Sequence, residues 1–205
     1  FKGILLSFCQ IENRKFVKRK NTRTFANEAK TQIKYNFMEP ANRIRQATTD
    51  DAQEICNIYN YYILNTAITF ETEAVSVKEM KSRIQDVLSS GLPYYVAVTD
   101  HHITGYCYLH QWNNRCAYSS TKEVSIYLDK DVRQQGVGTK LLKEILKNIN
   151  PENIHVLISG ICLPNEASVR LHEKFGFKQI SLMKEIGRKF NEWRDVGHWQ
   201  LILKK

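Results

Sequence analysis

The chain has 205 residues, which suits one domain with a short appendage, and 42% of them are hydrophobic, which is enough for a core. No apolar run approaches the roughly 20 residues of a membrane-spanning helix, so we expect no membrane segment. The five cysteines are an odd number without CxxC spacing. This argues against a disulfide framework or a metal site and favours a reducing, cytoplasmic compartment. The net charge of +9 would by itself suggest a nucleic-acid partner.

That positive charge is concentrated in residues 1–37. The segment holds nine lysines and arginines against two glutamates, so it carries +7 of the net +9. The rest of the chain is nearly neutral, and we expect it to have no nucleic-acid partner. The segment fits an irrelevant extension or wrongly assigned start, an organelle presequence, or an RNA- or membrane-binding arm. We favour the first because Met38 stands just ahead of a clean domain opening. We therefore predict a disordered extension at 1–37 and one folded domain at 38–205.

In the first half of that domain, hydrophobic periodicity and capping residues predict alternating helices and strands. Ser76 is a typical helix N-cap, and Gly91 is a typical C′ residue. We predict a strand at 44–47, a helix from the caps Thr49 and Asp50 to Asn65, a β-like run at 67–70, a helix after Ser76, a strand at 93–98, a hairpin tip at His101 and His102, a strand at 103–112, and a loop at 113–118.

The second half continues the alternation. We predict a strand at 124–128, a helix at 141–146, strands at 154–161, 180–190 and 193–203, and a short helix from Asn165 to Phe175. The whole order is β-α-α-β-β-β-α-β-α-β-β. It predicts an α/β fold with a mixed central sheet and helices on both faces.

A glycine-containing turn joins the strand at 124–128 to the helix that follows it. Such a turn aims backbone N–H groups at one point, and the positive end of the helix dipole lies behind them, so it favours a phosphate-bearing ligand. The order Gly138-Thr139-Lys140 does not fit a P-loop, and Leu141 stands where a dinucleotide fingerprint needs a small residue. An ordinary turn with a helix cap stays open as the alternative.

The turn sequence Arg133-Gln134-Gln135-Gly136-Val137-Gly138 resembles the pyrophosphate loop of the GNAT acetyltransferases. Asn165, Ala167 and the run Lys174-Phe175-Gly176-Phe177 resemble a second signature of that family. The resemblance implies the GNAT fold and acetyl-CoA as co-substrate. It implies that the pyrophosphate of acetyl-CoA is bound by Arg133, Gln134, Gln135, Gly136, Val137, Gly138 and Thr139. The other residues that it implies in acetyl-CoA binding are Ile126, Tyr127, Leu128 and Asn165.

Acetyl transfer also needs a base for the amine and a proton for the departing thiolate. Glu123 opens the central strand and is the candidate base; a solvated strand-end glutamate is the alternative. His172 lies seven residues after Asn165, where many of these enzymes have a tyrosine, and is the candidate acid. No cysteine lies in a nucleophile context, so we predict direct attack in a ternary complex.

A narrower resemblance covers roughly residues 43–203. Asn60, Thr69-Phe70, the run at 163–165 and above all the stretch at 193–201 resemble the phosphinothricin N-acetyltransferases, a group that includes enzymes acting on methionine sulfoximine and methionine sulfone. It implies that Phe70, Arg115 and Tyr118 bind a small amino-acid-like amine. Two positions depart from the phosphinothricin-resistance enzymes of this group. Those enzymes have a lysine where this chain has Asn113 and an arginine where it has Glu71. These two differences weaken the case for an anionic phosphinate and leave a neutral head group open.

Three other functions compete with a small-molecule acetyltransferase. They are a non-catalytic acetyl-CoA-binding relative, a protein or peptide N-terminal acetyltransferase, and a nucleic-acid-binding protein that uses the basic arm. The aromatic C-terminal strands favour a closed small-molecule pocket over an open peptide groove. The family resemblance also implies a homodimer to which those strands contribute.

Overall fold

The computed structural model describes residues 43–132 and 136–203. The predicted extension at 1–37, its boundary at 38, and the loop residues Arg133, Gln134 and Gln135 lie outside that part of the chain. The strands are β1 (Arg43–Gln46), β2 (Tyr94–Thr99), β3 (His102–Gln111), β4 (Thr121–Leu128), β5 (Val156–Cys162), β6 (Lys178–Lys189) and β7 (Glu192–Ile202). The helices are α1 (Ala52–Asn65), α2 (Val77–Ser89), α3 (Val137–Lys147) and α4 (Glu166–Lys174).

The seven strands form one sheet in the order β1-β2-β3-β4-β5-β7-β6. Every neighbouring pair is antiparallel except β4 and β5, which run parallel. The predicted mixed sheet is confirmed, and β4 lies at its centre.

Helices cover both faces of this sheet, as predicted, and each face has its own core. Ile55 of α1 and Ile84 of α2 are fully buried against Val96 and Tyr106 on one face. On the other face the apolar stripe of α3 is fully buried with β3, β4 and β5; its residues are Leu141, Leu142 and Ile145. Their spacing places the three side chains on one side of the helix, as a buried stripe requires.

Three helix boundaries test the capping predictions. The Ser76 hydroxyl accepts a hydrogen bond from Glu79 N at 3.1 Å, and Gly91 has φ +69° just past the end of α2, so both predictions are confirmed. The expected caps Thr49 and Asp50 are wrong. A 3-10 turn at Thr49–Asp51 precedes α1, and Thr48 caps it in a capping box.

The segment 67–70 is not a strand, which corrects the prediction of a β-like run. Its polar groups form hydrogen bonds with side chains from other parts of the chain instead of with a neighbouring strand. Lys189 Nζ donates to the Thr69 carbonyl at 2.7 Å, and the Thr69 hydroxyl lies 3.0 Å from Tyr59 Oη. No helix among the described residues is both long enough and apolar enough to cross a membrane.

Candidate active site

The site begins where β4 and β5 separate. Their parallel ladder has three residue pairs and ends at Glu123 opposite Ile158. Beyond it β4 stays paired with β3, and β5 stays paired with β7, so the two strands diverge in the middle of the sheet. A cavity of about 460 Å³ fills the opening, lined by residues 123–128 of β4 and 159–162 of β5. The β4 backbone that faces it can pair with an extended ligand as a further strand would.

The described part of the glycine turn, residues 136–138, lies at the outer end of this opening. Gly136 is the N-cap of α3 in the left-handed conformation, with φ +69°. Gly138 lets α3 approach its neighbours closely, because a Cβ there would come within 3.2 Å of the Leu171 side chain. Residues 136–139 line a second cleft of about 290 Å³, which shares Leu128 and Leu171 with the first cavity. The positive end of the α3 dipole faces this cleft, which makes it suited to a phosphate.

Two cations in this second cleft were missed by sequence reasoning. Arg170 and Lys174 of α4 line it opposite the glycine turn. Arg170 also pairs with Glu166 at 2.8 Å on the exposed side of the helix. Their helical spacing of four residues was visible in the sequence, but only the packing of α4 beside α3 brings them to the turn.

The predicted β4 contacts differ in what they offer. Ile126, Tyr127 and Leu128 all line the cavity. The Tyr127 ring stacks on Tyr106 with a centroid distance of 5.4 Å, and the Leu128 carbonyl accepts a hydrogen bond from Tyr62 Oη at 2.7 Å. Asn165, which is predicted to contact acetyl-CoA, lies on the opposite wall and caps α4. Its Oδ1 accepts a hydrogen bond from Ser168 N at 3.2 Å.

His172 lines the same cavity and is only 1% exposed. Its Nδ1 lies 2.8 Å from the Ser168 carbonyl, and since a carbonyl can only accept, the proton is on Nδ1. Burial lowers the pKa of His172, although the Ser168 carbonyl acts against that shift. Among the described residues, its buried Nε2 has no hydrogen-bond partner. The neutral ring therefore presents a free lone pair on Nε2.

Glu123 lies at the base of the opening, at the last position of β4 that pairs with β5. Its Oε1 is close to Gly160 of β5, where an added Cβ would come within 3.3 Å of it. Two histidines that the sequence gave no reason to select lie nearby. His110 Nε2 is 4.0 Å from Glu123 Oε2, and His198 Nε2 would lie 3.7 Å from the same added Cβ. Only the pairing of β3 and β7 with the central strands brings them there.

A loop of residues 66–76 closes the cavity at the end away from the glycine turn. Phe70 lines the cavity, and its ring lies against Gly187 of β6, where any Cβ would collide with it. Lys189, only 4% exposed, holds the loop through the Thr69 carbonyl, and its burial lowers its pKa. The Asn60 side chain bonds both the N–H and the carbonyl of Val75, each at 2.9 Å. The wall of the cavity is thus fixed from two sides.

Glu71, one of the unexpected residues, has its charge balanced inside this loop. Its carboxylate accepts hydrogen bonds from Arg83 at 2.7 and 3.3 Å and from Tyr59 Oη at 2.8 Å. These partners hold its pKa below the ordinary value despite the opposing effect of burial. Glu71 is not among the residues that line the cavity.

The structure does not bring Arg115 and Tyr118 to the cavity wall. Arg115 is exposed, and Tyr118 packs edge-on against Trp112 with ring centroids 5.1 Å apart. Their loop enters the paired end of β4, whereas the cavity opens from Glu123 towards Leu128. Phe70, Glu123 and His172 do share one cavity. The substrate role of Arg115 and Tyr118 stays a prediction without support from this geometry.

Comparison with known proteins decides the family. Residues 44–198 match the acetyltransferase (GNAT) domain. The chain belongs to the GNAT acetyltransferases. It is 32% identical over 166 residues to a phosphinothricin N-acetyltransferase of Streptomyces viridochromogenes, covering 80% of this chain and 90% of that protein. It is 31% identical over 160 residues to an L-methionine sulfoximine/L-methionine sulfone acetyltransferase of Salmonella typhimurium, covering 78% and 94%.

A solved structure agrees with these relatives. The crystal structure of a GNAT superfamily phosphinothricin acetyltransferase from Sinorhizobium meliloti, in complex with acetyl-CoA, matches with a TM-score of 0.76 and 32% identity. The match covers 79% of this chain and 88% of that one. The predicted GNAT fold is confirmed.

The glycine turn gives the first testable prediction. Gly136→Ala should destabilise the fold by roughly 1–2 kcal/mol, because a side chain is strained at positive φ. It should also raise the KM for acetyl-CoA, since the strained turn re-aims the N–H groups at the start of α3. Thermal unfolding and initial rates measure the two effects.

Gly91→Ala is the matched control. Gly91 has the same φ of +69° and equally open surroundings but lies at the end of α2, away from the turn. The two variants should lose similar stability, and only Gly136→Ala should change the KM for acetyl-CoA. Equal KM values for both variants would contradict a pyrophosphate role for the turn.

Proposed function

We propose that this GNAT enzyme transfers an acetyl group from acetyl-CoA to the amino group of a small amino-acid-like substrate, by direct attack in a ternary complex. The substrate class is that of phosphinothricin, methionine sulfoximine and methionine sulfone. The observation that carries the proposal is one cavity, at the divergence of β4 and β5, that holds both Glu123 and the unpartnered Nε2 of His172.

Acetyl-CoA is the acetyl donor, and the described residues fit it. The cleft at Gly136–Thr139 suits the pyrophosphate, with Arg170 and Lys174 as nearby cations. The free edge of β4 suits the pantetheine arm, whose amides can pair with a strand. A backbone N–H near Leu128 is our candidate to polarise the thioester carbonyl.

The roles that we propose for Glu123 and His172 follow from the number of protons that the acceptor nitrogen loses. The acceptor ammonium has three N–H bonds, and the product amide keeps one, so two protons leave the nitrogen. Glu123 takes the first, directly or through a water, and the neutral amine can then attack the thioester. As the C–N bond forms and the C–S bond breaks, His172 Nε2 takes the second proton and passes it to the thiolate. A neutral His172 with a lowered pKa fits this order, because it starts as a base.

The acceptor end favours a neutral head group over an anionic one. Among the described residues that line the cavity, Lys130 is the single lysine or arginine, and it lies after β4 beside Asp129. Glu71 adds no uncompensated negative charge, because Arg83 and Tyr59 hold it. We therefore place sulfone and sulfoximine head groups ahead of a phosphinate.

We further propose a homodimer in a reducing, cytoplasmic compartment. The edge strand β6, the turn after it and the start of β7 expose large apolar side chains, each 47–58% accessible: Ile180, Leu182, Ile186, Phe190 and Trp193. An edge strand with apolar side chains of this size is suited to an interface. The four cysteines in the described part of the chain are free thiols, which fits a reducing compartment.

The acceptor assignment is tested by thiol release from acetyl-CoA with a panel of amines. The panel contains methionine sulfone, methionine sulfoximine, phosphinothricin and a short peptide with a free N-terminus. We expect turnover with the first two and a lower kcat/KM for phosphinothricin, because the cavity lining offers few cations. If none of these amines causes thiol release, the assignment as an acetyltransferase is wrong. Preference for the peptide would favour an N-terminal acetyltransferase.

The role of His172 is tested by His172→Phe, which keeps a ring of similar size against Phe177. Loss of a proton carrier should lower kcat by at least about a hundredfold. The KM for acetyl-CoA should change little, and thermal unfolding should verify that the variant is folded. Full kcat in a folded variant would show that the thiolate receives its proton elsewhere.

The dimer is tested by sedimentation. Wild-type protein at micromolar concentration should sediment with twice the mass of one chain. Leu182→Lys should shift it to one chain, since a charge in the apolar strand disfavours burial. Leu64→Lys, at a comparably exposed leucine on α1, is the control and should leave the dimer intact. A monomeric wild type would contradict the proposal.

A further inference from the structure

The proposed reaction leaves a proton that has to reach solvent. Of the two protons that leave the acceptor nitrogen, the thiol product keeps one, and the other remains on Glu123. During turnover the donor and acceptor occupy the cavity that Glu123 lines. Glu123 must lose this proton before the next cycle, so a path that avoids the filled cavity would shorten the cycle.

His110 lies on such a path. It is directly opposite Glu123 in the antiparallel β3–β4 ladder, and opposed residues of two paired strands point to the same face of the sheet. Its Nε2 is 4.0 Å from Glu123 Oε2. The residues that line the reaction cavity do not include His110, whereas those of two other clefts, of about 480 and 250 Å³, do. His110 therefore lies between the base and a second solvent-facing surface, with its side chain 35% exposed.

The hydrogen bonds of His110 leave the nitrogen nearer Glu123 able to accept a proton. Nδ1 lies 3.3 Å from the Gln111 carbonyl, and a carbonyl can only accept, so in the neutral ring the hydrogen is on Nδ1. Nε2 then carries the lone pair, and the Ser125 hydroxyl donates to it at 3.2 Å. This is the tautomer that a proton acceptor for Glu123 requires.

We propose that His110 relays the proton from Glu123 to solvent on the α2 side of the sheet. The inference rests on the proposed function. The Glu123 O–H bond breaks and an Nε2–H bond forms, directly or through one water, giving the imidazolium. The Nδ1–H proton then passes to water or a buffer base in the outer clefts, and exchange with solvent restores the first tautomer. His110 affects the reaction only through Glu123, from which it takes the proton, and it does not contact the substrates.

Charged and titratable groups from five elements lie beside His110 or line the clefts that it shares. They are Glu123 and Lys122 on β4, Tyr106 and Tyr108 on β3, Arg83 and Asp86 on α2, Tyr59 on α1 and Tyr94 on β2. Burial raises the pKa of Tyr108, so this neighbour stays neutral through the working range. The pH profile of a His110 variant is compared with that of the wild type measured in the same buffers.

The experiment is chemical rescue of His110→Ala by imidazole. Without a relay, return of Glu123 to its ionised form should limit turnover, and kcat should fall about tenfold or more. The KM for acetyl-CoA should not change, because His110 is far along the ladder from the glycine turn. The truncated side chain opens space next to the outer clefts, so added imidazole should restore kcat with saturation.

Two variants complete the test. His110→Gln keeps a polar side chain but cannot carry a proton and fills the space, so it should be slow and unresponsive to imidazole. His155→Ala removes an exposed histidine outside these clefts and should match the wild type, with or without imidazole.

Wild-type kcat in either His110 variant would overturn the relay, as would a slow His110→Ala variant that imidazole does not restore. A wild-type enzyme that releases no thiol with any amine would overturn the proposed function itself, and the relay with it.

Discussion

The parallel pairing between β4 and β5 stops at Glu123, and the rest of the site depends on that interruption. A continuous ladder would leave no cavity, and the backbone groups of residues 124–128 would be satisfied inside the sheet. Because the strands diverge, one edge of β4 needs partners from water or from a ligand. Buried polar backbone without a partner costs on the order of 1–3 kcal/mol per group, so an extended ligand with amides is favoured there.

The two ends of the opening have different physical characters. The outer end combines the left-handed turn at Gly136 with the dipole of α3 and two cations of α4, which suits an anionic group. The inner end is bounded by Phe70 on a loop fixed through Lys189 and Asn60. Glu123 and His172 lie between them, one carboxylate at the base and one buried imidazole on the wall. This arrangement separates the donor contacts from the acceptor contacts.

Much of this was predictable from the sequence because it rests on local patterns. Alternation identified the central strand, the spacing of Leu141, Leu142 and Ile145 identified α3, and Ser76 and Gly91 marked the ends of α2. The predicted strand at 67–70 failed because a contact distant in sequence decides the outcome. Residues 67–70 have strand-like composition, but Lys189, 120 positions beyond Thr69, donates a hydrogen bond to the Thr69 carbonyl.

The same reason explains the residues that the sequence did not identify and those that the structure does not bring to the cavity. His110 belongs to no sequence motif, and only its pairing opposite Glu123 points to the proposed relay. Arg115 and Tyr118 fit a family position, yet their loop lies at the paired end of β4. Hydrogen exchange with and without acetyl-CoA tests the central claim most directly. The account predicts slower exchange at residues 124–128 and 136–139 and little change in β1 and β2. Unchanged exchange at those two segments with acetyl-CoA bound would contradict it.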